Sequence, residues 1–296
     1  MPIKRTTHDL GQSSLYRLVR RRRLGELLDL TDAQLRYLTK YADTLYRESD
    51  VPKKNGDGTR HIEDPAKLLK QAQSRLATLL SRITPPEFLF CPVKRRCYVT
   101  NAAQHRGHRV VRSLDIHKYF PNTTSRRVFW FFSSVMKCDR SMAGTLTKLA
   151  CYREHLPTGS PLSPIMAFFA HYDMWNEIAA ICRREGLTLT VYVDDVTVSG
   201  DKVSESLVWE IRQAIHRSGL RHHKEKAFYD RPAEITGVIV TAAGIEVPHK
   251  QFRKLRLAVA AAKEAGSRQT KKAQEKLDGL KGQLAQIQKV SATLQN

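Results

Sequence analysis

The sequence predicts an α+β fold, on three observations. Segments with helical periodicity fill both ends of the chain, strand-forming runs gather in its middle as hairpins, and the regular strand-helix alternation of a doubly wound sheet is missing. With 296 residues and 41% hydrophobic side chains, the chain can bury a sizeable core, and no low-complexity tract interrupts the pattern.

The elements follow in order. Residues 12–82 set apolar and basic positions at helical spacing, with Thr31-Asp32 as a cap before Ala33-Gln34-Leu35 and Pro65 opening a helix from Ala66 to Ile83. Val51 to Ile62 is turn-rich and basic on both arms, which predicts a hairpin loop carrying cations. Val110-Val-Arg-Ser-Leu114 predicts a buried strand ending at Asp115, followed by helices near 124–137, 141–151 and 163–184. Residues 190–201 predict a hairpin. A helix near 203–218, strands near 226–230 and 235–247, and two helices over about 248–294 complete the chain. From Val247 the composition turns to Lys, Ala, Gln and Leu, with eleven Lys/Arg against three acids, so residues 247–296 read as a helical lobe that is basic on one face.

Charge narrows the partners. Fifty Lys and Arg against 29 Asp and Glu give +21, an excess that favours a polyanion, either nucleic acid or an anionic membrane surface. No stretch reaches the roughly twenty apolar residues of a membrane span, and the first residues lack the apolar core of a signal peptide, so a cytoplasmic protein without a membrane partner is expected. The five cysteines are odd in number and form no Cys-x-x-Cys pair, so they read as reduced, mostly structural thiols.

The most specific chemistry lies in Thr190-Val-Tyr-Val-Asp-Asp-Val-Thr-Val198. Asp194 and Asp195 occupy the expected hairpin tip, where Asn-Gly or Asp-Gly would be the ordinary turn pair. Adjacent carboxylates repel, and a divalent cation, Mg²⁺ by preference, relieves them; an exposed polar tip is the plain alternative. Asp115, at the end of its strand, supplies a third carboxylate for a two-metal site able to activate a 3′-hydroxyl and stabilise leaving pyrophosphate. It could equally cap the next helix.

In order and spacing, Arg60, Asp115, Leu156-Pro-Thr-Gly-Ser-Pro-Leu-Ser-Pro164, Tyr192-Val-Asp-Asp195 and Gly219-Leu…Lys226 resemble reverse transcriptases over about residues 45–245. Asn101-Ala-Ala-Gln-His105 and Ile235-Thr-Gly237 are similar to elements of the retron reverse transcriptases, the second departing by Ile for Val. The resemblance implies a right-hand polymerase, with fingers and an antiparallel-sheet palm interleaved over 1–246 and a small helical thumb over 247–296.

It also implies roles for particular residues. Asp115, Asp194 and Asp195 would hold two Mg²⁺ ions, for which Mn²⁺ can substitute, with Asp194 the principal partner of Asp115. Arg60, with Lys53 or Lys54, would reach the triphosphate, and a guanidinium suits phosphate well; a solvated loop is the alternative. Phe120 would be the sugar gate that excludes a 2′-hydroxyl, or else a core aromatic. Gly159 and Ser160 would line the nucleotide pocket, where Thr158 replaces the usual Gln. Lys226 would neutralise or protonate pyrophosphate, with Lys224 close enough to confuse the assignment. Asn101 and His105 would organise RNA, although a buried structural histidine fits as well. Lys250, Arg253, Lys254, Arg256, Lys271, Lys272 and Lys276 would hold an RNA stem through its phosphates, and Arg20 to Arg23 would add a phosphate contact or form a solvated helix face.

The function implied is RNA-directed DNA synthesis on a cognate structured noncoding RNA. Synthesis would start from an RNA 2′-hydroxyl, consume dNTPs and give a branched RNA–DNA hybrid (msDNA), within antiphage defence and beside a separate effector protein. An intron-type or other general reverse transcriptase, or a catalytically silent RNA-binding scaffold, are the alternatives.

Overall fold

The chain enters each of two structural units three times. The first unit draws on Met1–Glu87, Ile116–Ala180 and Glu210–His222, the second on Phe88–Asp115, Ile181–Trp209 and His223–Asn296. The structure, a computed structural model, describes residues 7–52, 58–264 and 270–295.

In chain order the elements are α1 (Arg21–Leu28), α2 (Asp32–Lys40), β1 (Tyr46–Pro52), β2 (Thr59–Pro65), α3 (Lys67–Leu80), β3 (Leu89–Cys91), α4 (Tyr98–Ala103) and β4 (Val110–Ile116). There follow α5 (Tyr119–Asn122), α6 (Ser125–Trp130), α7 (Arg140–Ala150), α8 (Ser163–Ala170), α9 (Tyr172–Arg184), β5 (Thr188–Tyr192), β6 (Asp195–Gly200) and α10 (Glu205–Arg217). The last are β7 (His222–Tyr229), β8 (Ala233–Ile235), β9 (Val238–Val240), β10 (Ile245–Glu246), α11 (His249–Glu264) and α12 (Thr270–Gln295).

The first unit is mostly helical. Thr31 caps α2 through a reciprocal box with Gln34, as the sequence predicts, satisfying two backbone donors. The predicted cationic hairpin is β1–β2, longer than expected, with Val51 opposite Arg60 and Tyr46 opposite Pro65. The helix predicted over 163–184 is broken: α8 ends at His171, which is fully buried and meets the Thr123 hydroxyl at 3.2 Å. Burial pushes this imidazole down to about 3, so it stays neutral at ordinary pH. The helix expected over 124–137 likewise ends early, α6 passing into a π-helical turn at Phe131–Val135.

The second unit is built on a five-stranded sheet, ordered β3-β5-β6-β4-β7. β6 pairs antiparallel with both β4 and β5, whereas the short strand β3, which periodicity could not reveal, runs parallel to β5. The strand expected over 235–247 resolves into β8, β9 and β10, a small antiparallel sheet. Its apolar residues Ile235, Val238, Val240 and Ile245 pack with Val99 and Ala102 of α4 and Ile287 of α12 in one buried cluster. Among the described residues, no helix is long and apolar enough to cross a membrane.

Candidate active site

Alternation along a strand sends Val111, Ser113 and Asp115 of β4 to one face of the sheet and Arg112 and Leu114 to the other. The register sets Asp115 directly opposite Asp195 of β6, while Tyr192 faces Asp195 from β5. The turn of the hairpin is therefore Val193-Asp194, one residue earlier than the tip predicted from sequence, and Asp195 is the first residue of β6. Backbone register thus pairs Asp115 with Asp195. Val193 has φ +60°, while Asp194 is absent from the positive-φ residues. That is the pattern of a type II′ turn, whose first central position ordinarily takes Gly. A β-branched residue there costs on the order of 1–3 kcal/mol, and such strain concentrates at working sites.

The electrostatics agree with the register. Asp195 is pushed up to about 6, first by burial, then by the charges of Asp194 and Asp115, with the Lys226 ammonium pulling the other way. Lys224 and Lys226 share a face of β7, so register alone would not separate them; Lys226 is the one whose charge bears on Asp195.

On the opposite face lies a group the sequence reading missed. Arg112 is 3% exposed and pairs with Glu225 of β7 and with Glu205 at the start of α10, while Tyr229 accepts a further bond at 3.2 Å. An arginine inside the apolar run Val110-Val-Arg-Ser-Leu114 was the available signal, since a buried cation requires carboxylate partners. Because Glu225 is tied to Arg112, its neighbour Lys226 is turned to the carboxylate face.

Asn101 and His105 are both buried. His105 bridges the hairpin, with Nδ1 2.6 Å from the Ser199 hydroxyl on β6 and Nε2 2.7 Å from the Thr190 hydroxyl on β5. His108 reaches the same Ser199 at 2.6 Å. Thr190, Ser199 and Asp195 share one face, so the imidazole straps together the two strands that present the carboxylate turn. Burial pushes it down to about 3, so it stays neutral. Asn101 sends its amide toward the Thr236 hydroxyl at 3.5 Å, and Thr236 donates to the Tyr98 carbonyl at 2.9 Å. The two short elements, Asn101–His105 and Ile235-Thr-Gly237, therefore meet. Thr236 and Gly237 both have positive φ, the signature of a type I′ turn joining β8 to β9.

In the first unit, Arg60 is exposed on β2, and Lys53 and Lys54 lie outside the described residues. Phe120 sits in α5, half-buried, its ring 6.0 Å from that of the buried Tyr119. Gly159 packs on β2 so closely that a Cβ would lie 2.5 Å from the Glu63 carbonyl oxygen. Ser160 is buried and donates to Gln73 at 2.7 Å, so its hydroxyl is already engaged. Thr158 donates to the His61 carbonyl at 2.8 Å and accepts from the Glu63 N–H at 3.2 Å.

In the C-terminal helices Lys250, Arg253, Lys254 and Arg256 are exposed on α11, with Lys250 paired to Glu234, and Lys276 is exposed on α12. Lys271 and Lys272 fall in α12, but their side chains lie outside the described residues.

Asp115, Asp194 and Asp195 suit a hard divalent cation: Asp195 is raised first by burial and further by the charges of Asp194 and Asp115, and such a cation offsets that repulsion. Among the described residues, no three or more His, Cys, Asp and Glu side chains form a ready metal cage.

A family model described as reverse transcriptase (RNA-dependent DNA polymerase) matches residues 51–240. The chain is 27% identical over 263 residues to the Retron Ec86 reverse transcriptase of Escherichia coli, covering 86% of this chain and 78% of that protein. It is 24% identical over 288 residues to the Retron Se72 reverse transcriptase of Salmonella heidelberg (strain 579083-10), covering 90% and 74%. To the Retron Mx65 reverse transcriptase of Myxococcus xanthus it is 31% identical over 257 residues, covering 78% and 58%.

Proposed function

The chain belongs to the reverse transcriptase family and is an RNA-directed DNA polymerase that requires a divalent cation, and from that premise we propose that it is a retron polymerase which copies part of a cognate structured noncoding RNA. Synthesis begins at an RNA 2′-hydroxyl and leaves DNA branched from RNA. The observation that carries the catalytic part is the placement of Asp115 opposite Asp195, with Asp194 in the strained turn beside them. The retron part rests on the similarity to retron enzymes and on the meeting of Asn101 with Thr236.

In this reading Asp115, Asp194 and Asp195 hold two Mg²⁺ ions. Bound there, the cations would lower the pKa of the attacking hydroxyl and stabilise the leaving pyrophosphate. Lys226 places an ammonium near the same carboxylates for the leaving group. Arg60, Gly159, Ser160 and Phe120 serve the incoming dNTP: Arg60 through its guanidinium, Phe120 by denying a 2′-hydroxyl both space and a hydrogen bond, and Ser160 by fixing the loop, since its hydroxyl is spent on Gln73. Asn101 and His105 act from beneath the surface, by shaping the sheet and turn that RNA meets. Residues 1–246 work as fingers and palm, and residues 247–296 as a thumb that grips an RNA stem through Arg253, Lys254, Arg256 and their neighbours. An antiphage role with a separate effector belongs to the same reading.

The test is to purify the protein expressed from its native locus, beside an Asp194→Ala control, and to examine the co-purifying nucleic acid for DNA covalently branched from RNA. Branched DNA in the wild type alone is the expected result. Unbranched DNA leaves a general reverse transcriptase and removes the retron assignment.

A further inference from the structure

The loop Pro157 to Ser160 is fastened to the strand that carries Arg60 by bonds that converge on two residues. The Thr158 hydroxyl donates to the His61 carbonyl at 2.8 Å and accepts from the Glu63 N–H at 3.2 Å. In return the Thr158 N–H donates to Glu63 Oε2 at 3.1 Å. The other oxygen of this carboxylate, Oε1, is held 2.9 Å from Nε2 of His155, and Glu63 itself is 6% exposed. A buried carboxylate with both oxygens engaged is a fixed point. Gly159 then lies flat on the Glu63–Asp64 backbone, where a Cβ would come within 3.0 Å of Asp64 Cα. On the far side, Ser160 donates to Gln73, whose amide donates to the Leu149 carbonyl at 2.9 Å and to the Tyr46 hydroxyl at 2.8 Å, so α3 and β1 hold the other edge of the loop.

We propose that Thr158, with Glu63, is a positioning residue for the incoming nucleotide: it staples the Pro157–Ser160 loop to β2 and so fixes the spacing between Gly159 and Arg60. This rests on the reading of Arg60 and Gly159 as nucleotide-binding. The short hydroxyl at this position turns back and closes two backbone bonds on β2. Nucleotide binding then draws on a loop already held in place, which lowers the ordering cost of binding without touching the chemical step.

The experiment measures dNTP incorporation on poly(rA)·oligo(dT) by the full chain and by Thr158→Val, Thr158→Ser and Arg60→Ala, together with hydrogen–deuterium exchange of each free protein. Valine keeps the shape and removes the hydroxyl; serine restores it. Thr158→Val is expected to raise the dNTP KM about tenfold with kcat held within about twofold, Thr158→Ser to recover most of the loss, and faster exchange to appear over 59–65 and 157–163. If Arg60→Ala raises KM and Thr158→Val does not, the staple falls and the nucleotide reading stands. If neither variant moves KM, both fall. Loss confined to kcat, serine behaving as valine, or exchange that quickens throughout the chain would each overturn the positioning role.

Discussion

Asp115 and Asp195 stand directly opposite each other on antiparallel β4 and β6, two carboxylates in a relation that sheets ordinarily avoid. The fold accepts this at one end of the sheet, and Asp195 is pushed up to about 6, first by burial and then by the charges of Asp194 and Asp115. A carboxyl raised above its unfolded value lends stability that is complete below about pH 4 and lost as pH rises through about 6. Asp195→Asn, in metal-free buffer, should therefore gain Tm relative to the wild type as pH is raised from 4 to 7, and added Mg²⁺ should narrow the gap. Parallel Tm curves for the two proteins would show that Asp195 is not raised in the folded protein.

Asp194→Asn removes one charge from the turn and leaves the basic helices untouched. DNA synthesis should disappear while RNA affinity stays within about twofold, because phosphate contacts dominate that affinity. Incorporation assays and gel shifts on the same preparation measure the two, and their joint loss would contradict the division of labour.

Phe120→Ala opens space beside Tyr119 and should admit ribonucleotides. The ratio of dNTP to rNTP incorporation is the readout, and it should fall by about tenfold or more. An unchanged ratio would make Phe120 a packing residue of α5.

Removing Arg112 leaves Glu225 partly buried without its cation. Arg112→Ala should cost about 3–5 kcal/mol in denaturant unfolding. Glu205→Ala, whose side chain is 67% exposed, should cost about 1 kcal/mol or less. Equal losses would mean that Glu205 is the main partner.

Arg253→Ala, Lys254→Ala and Arg256→Ala combined should flatten the dependence of log RNA affinity on log salt by about 2–3 units, each phosphate contact contributing a little under one. An unaltered slope would place the RNA elsewhere on the protein.

Much of this was legible in the sequence for a physical reason. Asp115 closes an apolar strand and Asp194-Asp195 interrupts a β-branched hairpin, and both break a local pattern that packing alone would have kept. The exact turn was not legible. A one-residue shift of register changes which residues are turned outward, and nothing in Tyr-Val-Asp-Asp announces that Val193 takes the left-handed position. The buried networks were hidden for another reason: the partners of Arg112, His105 and Thr158 lie 85 to 117 residues away in the chain. Spacing reads helices and hairpins, and it is blind to contacts at that range. Strand β3, three residues long, carries too little periodicity to be read at all.

The threefold entry of the chain into its second unit bears on how the protein is made. Asp115 leaves the ribosome about eighty residues before Asp195, a delay of ~4 to 16 s at ordinary elongation rates. During it β4 has neither β6 nor β7 to pair with, and Arg112 has neither glutamate. The nascent chain must carry an unpaired apolar strand bearing a charge that has yet to meet its counterions, which makes this interval the moment when a chaperone has most to protect.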